Sequence, residues 1–129
     1  MKTLRIVLDT NVLVSALLSP SGNPAKIFRM FFTRILTLVY SENILAEYMD
    51  VLDRPRLRIP ADDANVVLRA IRQYGERVDP ILSTNPMGDE NDRIFYDAAK
   101  HTNAYLITGN TRHYPKDSFI LTPTEFLGL

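Results

Sequence analysis

The chain has 129 residues, of which 46% are hydrophobic and 23% charged, a globular balance with room for one domain and a real core. Fifteen basic and fifteen acidic side chains cancel before two histidines are counted, so nucleic-acid binding driven by overall charge is excluded and would have to rest on local patches. There is no cysteine, which removes disulfides and thiolate metal sites, no apolar run of membrane-spanning length, and no room for a signal peptide before the first strand, so the expected location is the cytosol with no membrane contact.

Apolar runs alternate with helical patterns, the sign of a parallel sheet with crossover helices. The first strand is expected near 4–8, and Asp9 closes it before a helix at about 11–18. Asn23-Pro24 reads as an N-cap with Pro in the first helical position, opening a helix at about 24–33 that buries Ile27, Phe28, Phe31 and Phe32. A strand near 36–40 follows, then a helix at 41–53 capped by Ser41. Pro60, Asp62 and Asp63 open the next helix, at about 61–74, which Gly75 ends. A third strand is expected near 77–79. Asp89-Glu90-Asn91-Asp92 leads into a helix carrying Ile94, Phe95, Ala98 and Ala99. Strands near 104–108 and 118–121 complete the set, and Thr122-Pro123-Thr124-Glu125 has the capping-box pattern before a short final helix.

Polar groups gather where strands end. In open α/β sheets ligands bind beyond the carboxyl ends of the strands, and an acid such as Asp9 is costly to bury there unless something pairs with it. Thr108-Gly109-Asn110 sits at the end of the fourth strand, and a strand-to-loop turn alone would also account for it. Glu47 flanks the apolar face of its helix, where, taken alone, a solvated role is the ordinary reading. Asp89, Glu90 and Asp92 fit helix capping, although three acids in four residues repel one another unless a cation offsets them. Convergence of these carboxylates on one crevice would suit a hard divalent ion, Mg²⁺ or Mn²⁺ rather than Zn²⁺, and chemistry on phosphates.

This series resembles the PIN-domain family of small metal-dependent ribonucleases over nearly its whole length. The resemblance rests on Leu8-Asp9-Thr10-Asn11-Val12-Leu13, Glu47, Asp92 before Ile94-Phe95-Tyr96-Asp97-Ala98-Ala99, Tyr105-Leu106-Ile107-Thr108-Gly109-Asn110, and Ile120 to Leu127. It is nearest to the bacterial and archaeal branch of toxin–antitoxin toxins. It implies a three-layer α/β/α fold with a parallel sheet of about five strands, a single PIN-like nuclease domain over 1–129, and a metal-dependent endoribonuclease acting on RNA. It also implies an antitoxin partner and a homodimer. Asp9, Glu47 and Asp92 would be the catalytic, metal-holding triad, with Asn11, Thr108 and Asn110 as polar supports. Many members carry a fourth acid where this chain has Asn110; Asp89 or Asp97 are candidates to substitute for it. Asp92 is preferred to Asp89 because its distance from Thr108-Gly109-Asn110 matches the family spacing.

Two basic groups are weighed for RNA contact: Arg112, His113 and Lys116, in a loop at the sheet's carboxyl edge where Tyr114 or His113 can also stack on a base, and Arg54 to Arg58, where a solvated turn between helices is the ordinary reading; contacts are expected from the first group. Two other classes compete. A phosphomonoester hydrolase of the haloacid dehalogenase type also has an Asp after its first strand, but Asn11 stands where its second Asp belongs. A non-catalytic RNA- or protein-binding module would tolerate Asn110 but not explain the three acids.

Overall fold

The computed structural model describes residues 3–84 and 86–129; Met1 and Lys2, read as the lead into the first strand, lie outside the described residues, as does Asn85. Five strands form one parallel sheet: β1 (Leu4–Leu8), β2 (Leu36–Tyr40), β3 (Glu76–Arg77), β4 (Tyr105–Ile107) and β5 (Ile120–Leu121), in the order β3-β2-β1-β4-β5. Six helices connect and cover them: α1 (Thr10–Leu18), α2 (Asn23–Phe32), α3 (Glu42–Leu52), α4 (Ala61–Tyr74), α5 (Arg93–Thr102) and α6 (Pro123–Leu127).

Successive strand side chains point to opposite faces, yet Ile6, Val7 and Leu8 are all fully buried, so both faces of β1 are covered and the architecture is a three-layer α/β/α sandwich. One helix, α5, lies across β1, β2 and β4; α2 packs on β2 and on α6. Among the described residues no helix is long and apolar enough to cross a membrane.

Local chemistry sets the helix limits. The Ser41 hydroxyl accepts from the Ile44 N–H at 3.2 Å, and Thr122 and Glu125 complete a capping box on α6. Asn23, expected as a cap, is instead the first residue of α2, and Gly22 holds the cap position; the Asn23 amide donates to Thr124 of α6 at 3.0 Å. The third strand is displaced to Glu76–Arg77 from its expected place near 77–79. This edge strand pairs through two residues only, Val39 with Glu76 and Tyr40 with Arg77, so its position follows the register of β2 rather than any apolar pattern of its own. Sheet register also sets the functional end. Leu8 lies opposite Ile107, and the Asp9 N–H donates to the Ile107 carbonyl at 2.9 Å, which brings the carboxyl ends of β1 and β4 level.

Candidate active site

Asp9 caps the end of β1 and starts α1: its carbonyl accepts from the N–H groups of Val12 and Leu13 at 3.0 and 3.3 Å. Its side chain is buried and held from the neighbouring strand end. The Thr108 hydroxyl donates to Asp9 Oδ2 at 2.8 Å, and the Tyr114 hydroxyl to the same oxygen at 3.1 Å. Thr108 is itself fixed, since the Asn110 N–H donates to its hydroxyl at 3.1 Å. Tyr48, fully buried on α3, donates to the Leu8 carbonyl at 2.5 Å, one residue before the acid. Burial first, and then the Asp9 charge, push both tyrosine hydroxyls far above their ordinary range, so they remain neutral donors.

Asp92 reaches the site differently. It ends a short 3₁₀ turn, Glu90–Asp92, and leads into α5. Its Oδ2 is buried with no hydrogen-bond partner among the described residues, and His113 Nδ1 stands at 3.5 Å, too far for a good hydrogen bond. Burial raises the Asp92 carboxyl to about 6, aided by the charges of Asp9 and Asp89 and opposed by His113. Arg93 braces this approach: Nε and Nη2 donate to Glu90 at 2.7 and 2.8 Å, and Nη1 donates to the Ser83 carbonyl at 2.7 Å.

Asp9, Glu47 and Asp92 line one cavity of about 200 Å³, with Thr10, Asn11 and Phe95 also on its wall. The triad expected from sequence is thus brought to one place from β1, α3 and the start of α5. Asn11 reaches the cavity directly, whereas Thr108 acts from behind Asp9. The Asn110 amide instead meets His113 Nε2 at 2.9 Å. Neither candidate substitute acid reaches the cavity wall. Asp97 is buried and accepts from the Ser83 N–H at 2.9 Å, and exposed Asp89 caps the 3₁₀ turn by accepting from the Asn91 N–H at 2.9 Å. Arg112 and Lys116 line a separate cleft with Tyr114 and Asp117; the cations on the wall of the acidic cavity are Arg54 and Arg56. The sequence does not show the hydrogen bonds that Tyr114 and Tyr48 make, nor that Arg54 and Arg56 rather than Arg112 and Lys116 line this cavity. A buried tyrosine needs an acceptor for its hydroxyl, which was the one available signal.

Among the described residues no three His, Cys, Asp or Glu side chains form a ready cluster for a metal ion. The donor chemistry nonetheless fits a hard divalent cation: oxygen ligands, an orphaned buried carboxylate oxygen, and a carboxyl raised partly by its like-charged neighbours. Asp9, Glu47 and Asp92 would hold such an ion, with Asp9 already fixed by Thr108 and Tyr114.

A parallel sheet with an acid-lined crevice at the ends of its central strands places the chain in the α/β class, whose ligands bind in such crevices. The PIN-domain model matches residues 5–112, and the chain belongs to the PIN-domain family. An uncharacterized protein of Methanocaldococcus jannaschii is similar, with 31% identity over 110 residues, spanning 83% of this chain and 71% of that relative. The crystal structure of VapBC2 from Rickettsia felis bound to a DNA fragment from their promoter matches with a TM-score of 0.59 at 19% identity, over 92% of this chain and 97% of that one. At that identity the likeness is one of fold.

Proposed function

We propose that this chain is a single nuclease domain over 1–129, a cytoplasmic endoribonuclease that needs Mg²⁺ or Mn²⁺ and hydrolyses RNA phosphodiesters, and that it is the toxin of a toxin–antitoxin pair. The observation that carries the reading is the meeting of Asp9, Glu47 and Asp92 on one cavity, with a buried Asp92 oxygen that no described residue hydrogen-bonds. A divalent ion bound there would supply Lewis acidity toward water and phosphate. The chain supplies the rest. Thr108 and Tyr114 fix Asp9, so one acid is in place before the others adjust. Glu47, half-buried on α3, and Asp92 face the same space from other sides, where either can orient the attacking water and accept its proton. His113 stays at the rim, held by Asn110, and is not the base in this scheme. With water as nucleophile the RNA 2′-hydroxyl takes no part, and the products carry 5′-phosphates.

Family membership, the shared fold of the VapBC2 complex and the open acidic cavity support an inhibitory protein partner. A guanidinium or ammonium group from it would satisfy the same carboxylates as a metal ion. End-group analysis of RNA cut by the purified protein and by Asp92→Asn, with Mn²⁺ and with chelator, tests the chemistry. Metal-dependent 5′-phosphate ends that vanish in the variant are expected. Cyclic 2′,3′-phosphate ends, or equal cutting by the variant, overturn it. Co-expression with the neighbouring reading frame tests the pairing: a stable complex with suppressed cleavage is expected. Sizing of the free protein tests the homodimer included in this reading.

A further inference from the structure

The turn between α3 and α4 brings two arginines to the wall of the acidic cavity. Arg54 and Arg56 lie on the cavity wall that also carries Asp9, Glu47 and Asp92, while Arg58 lines a different cleft. The turn is stiff. Pro55 begins a 3₁₀ turn, Pro55–Leu57; the Leu57 N–H donates to the Arg54 carbonyl and the Arg58 N–H to the Pro55 carbonyl, each at 3.1 Å. Arg58 closes it in the left-handed region at φ 53°, which turns the chain away toward α4. The two arginines differ in commitment. Arg54 is paired with Asp50 at 3.1 Å, whereas Arg56 makes no ion pair with any described residue. A polyanion approaching three carboxylates is repelled, and in a chain of zero net charge no global field offsets this. A planar guanidinium beside the acids answers it, because it binds phosphate oxygens in a two-pronged manner that a lysine does not.

We infer that Arg56, assisted by Arg54, is the phosphate clamp of this site, gripping a backbone phosphate next to the bond that is cut. The inference rests on the RNA-cleaving reading above and moves the main RNA contact from the Arg112–Lys116 loop to the α3–α4 turn. Arg56 is a binding and positioning residue that leaves the chemical step untouched.

The test compares the full-length protein with Arg56→Ala, Arg56→Lys, Arg54→Ala and Arg58→Ala, using a fluorescent single-stranded RNA of mixed sequence. Cleavage is followed with Mn²⁺, and equilibrium binding with Ca²⁺ in its place, each across a salt series. Arg56→Ala should raise KM and Kd roughly ten- to a hundredfold, as the loss of a charge-assisted contact does, while kcat changes little. Its salt dependence should flatten by about 0.7 in log–log slope, the value for one phosphate contact on a single strand. Arg56→Lys should recover part of the loss, Arg54→Ala should fall between, and Arg58→Ala should match the parent. All five proteins should melt alike, since these side chains are exposed. Arg56→Ala behaving like Arg58→Ala overturns the clamp, as does a parent that does not bind RNA. Unchanged RNA binding with loss of binding to a protein partner also overturns it and assigns the arginines to that partner. A parent that binds RNA without cutting it, with binding weakened by Arg56→Ala, keeps the clamp and removes the nuclease reading.

Discussion

Asp9 and Asp92 face the same cavity from regions built on opposite terms. Around Asp9 the protein completes its own contacts: two hydroxyls meet one carboxylate oxygen, and the hydroxyl of Thr108 is in turn held by backbone. Around Asp92 it leaves an oxygen buried and unanswered, with like charges nearby. One region is finished by folding, while the other keeps a buried charge that the proposed cation would relieve. The contrast separates a fixed acid from an unsatisfied one, a division that three carboxylates in a sequence do not display.

The largest effect should come from removing charge on the unsatisfied side. Asp92→Asn should lower Mn²⁺ affinity and RNA cleavage by roughly a hundredfold or more, since even removing a supporting partner of a metal ligand costs about 10–100-fold. Calorimetric titration with Mn²⁺ reads it, and parent-like binding would erase the distinction between the two acids. Next in size is the anchor. Tyr114→Phe and Thr108→Val should each destabilise the protein by about 1.5–3 kcal/mol, the usual worth of a hydrogen bond to a charged group. Denaturant titration measures this, and a loss confined to activity would show that Asp9 needs no support.

A smaller effect concerns metal-free stability. The Asp92 carboxyl is raised from its ordinary 3.8 to about 6, so the folded protein holds that proton more tightly than the unfolded chain. The resulting stability is present in full below 3.8 and is lost as pH rises through about 6. Asp92→Asn should therefore raise Tm at pH 7.5 and leave it unchanged near pH 3.5, with saturating Mn²⁺ closing the gap by stabilising only the parent. A Tm gain that is the same at both pH values would show that ionising the buried Asp92 carboxyl is not what costs stability. The smallest effect sets the baseline. Removing the exposed Arg5–Glu76 pair with Arg5→Ala should cost under about 1 kcal/mol by the same denaturant assay.

Much of this was legible in the chain itself. The apolar run before Asp9, the Ser41 and Thr122 caps, and Gly75 after α4 are local signals with local causes, and the structure keeps them. What escaped depended on neighbours. The third strand has only charged residues, Glu76 and Arg77, matched to Arg5 and Glu42 across the surface, so no alternation marks it. Tyr114 read as a stacking residue in a basic loop because nothing in the sequence says that the loop folds back onto β1. Arg54 and Arg56 read as solvated for the same reason: their cavity is made by residues far away in the chain, Asp9 to Val14 on one side and Asn91 to Phe95 on the other, as well as by α3 beside them. Asp89 and Asp97 carried the right chemistry with the wrong direction, one turned to a local cap and the other to Ser83.

The hydrogen bonds from Thr108 and Tyr114 to Asp9 span 99 and 105 positions of the chain. A growing polypeptide therefore cannot assemble its anchor until nearly all of it has left the ribosome, however early the first strand emerges. Contacts of such long sequence separation also slow the final collapse. If the site cuts RNA as proposed, it would stay incomplete until Tyr114 has emerged, and the proposed partner would gain that interval in which to capture it.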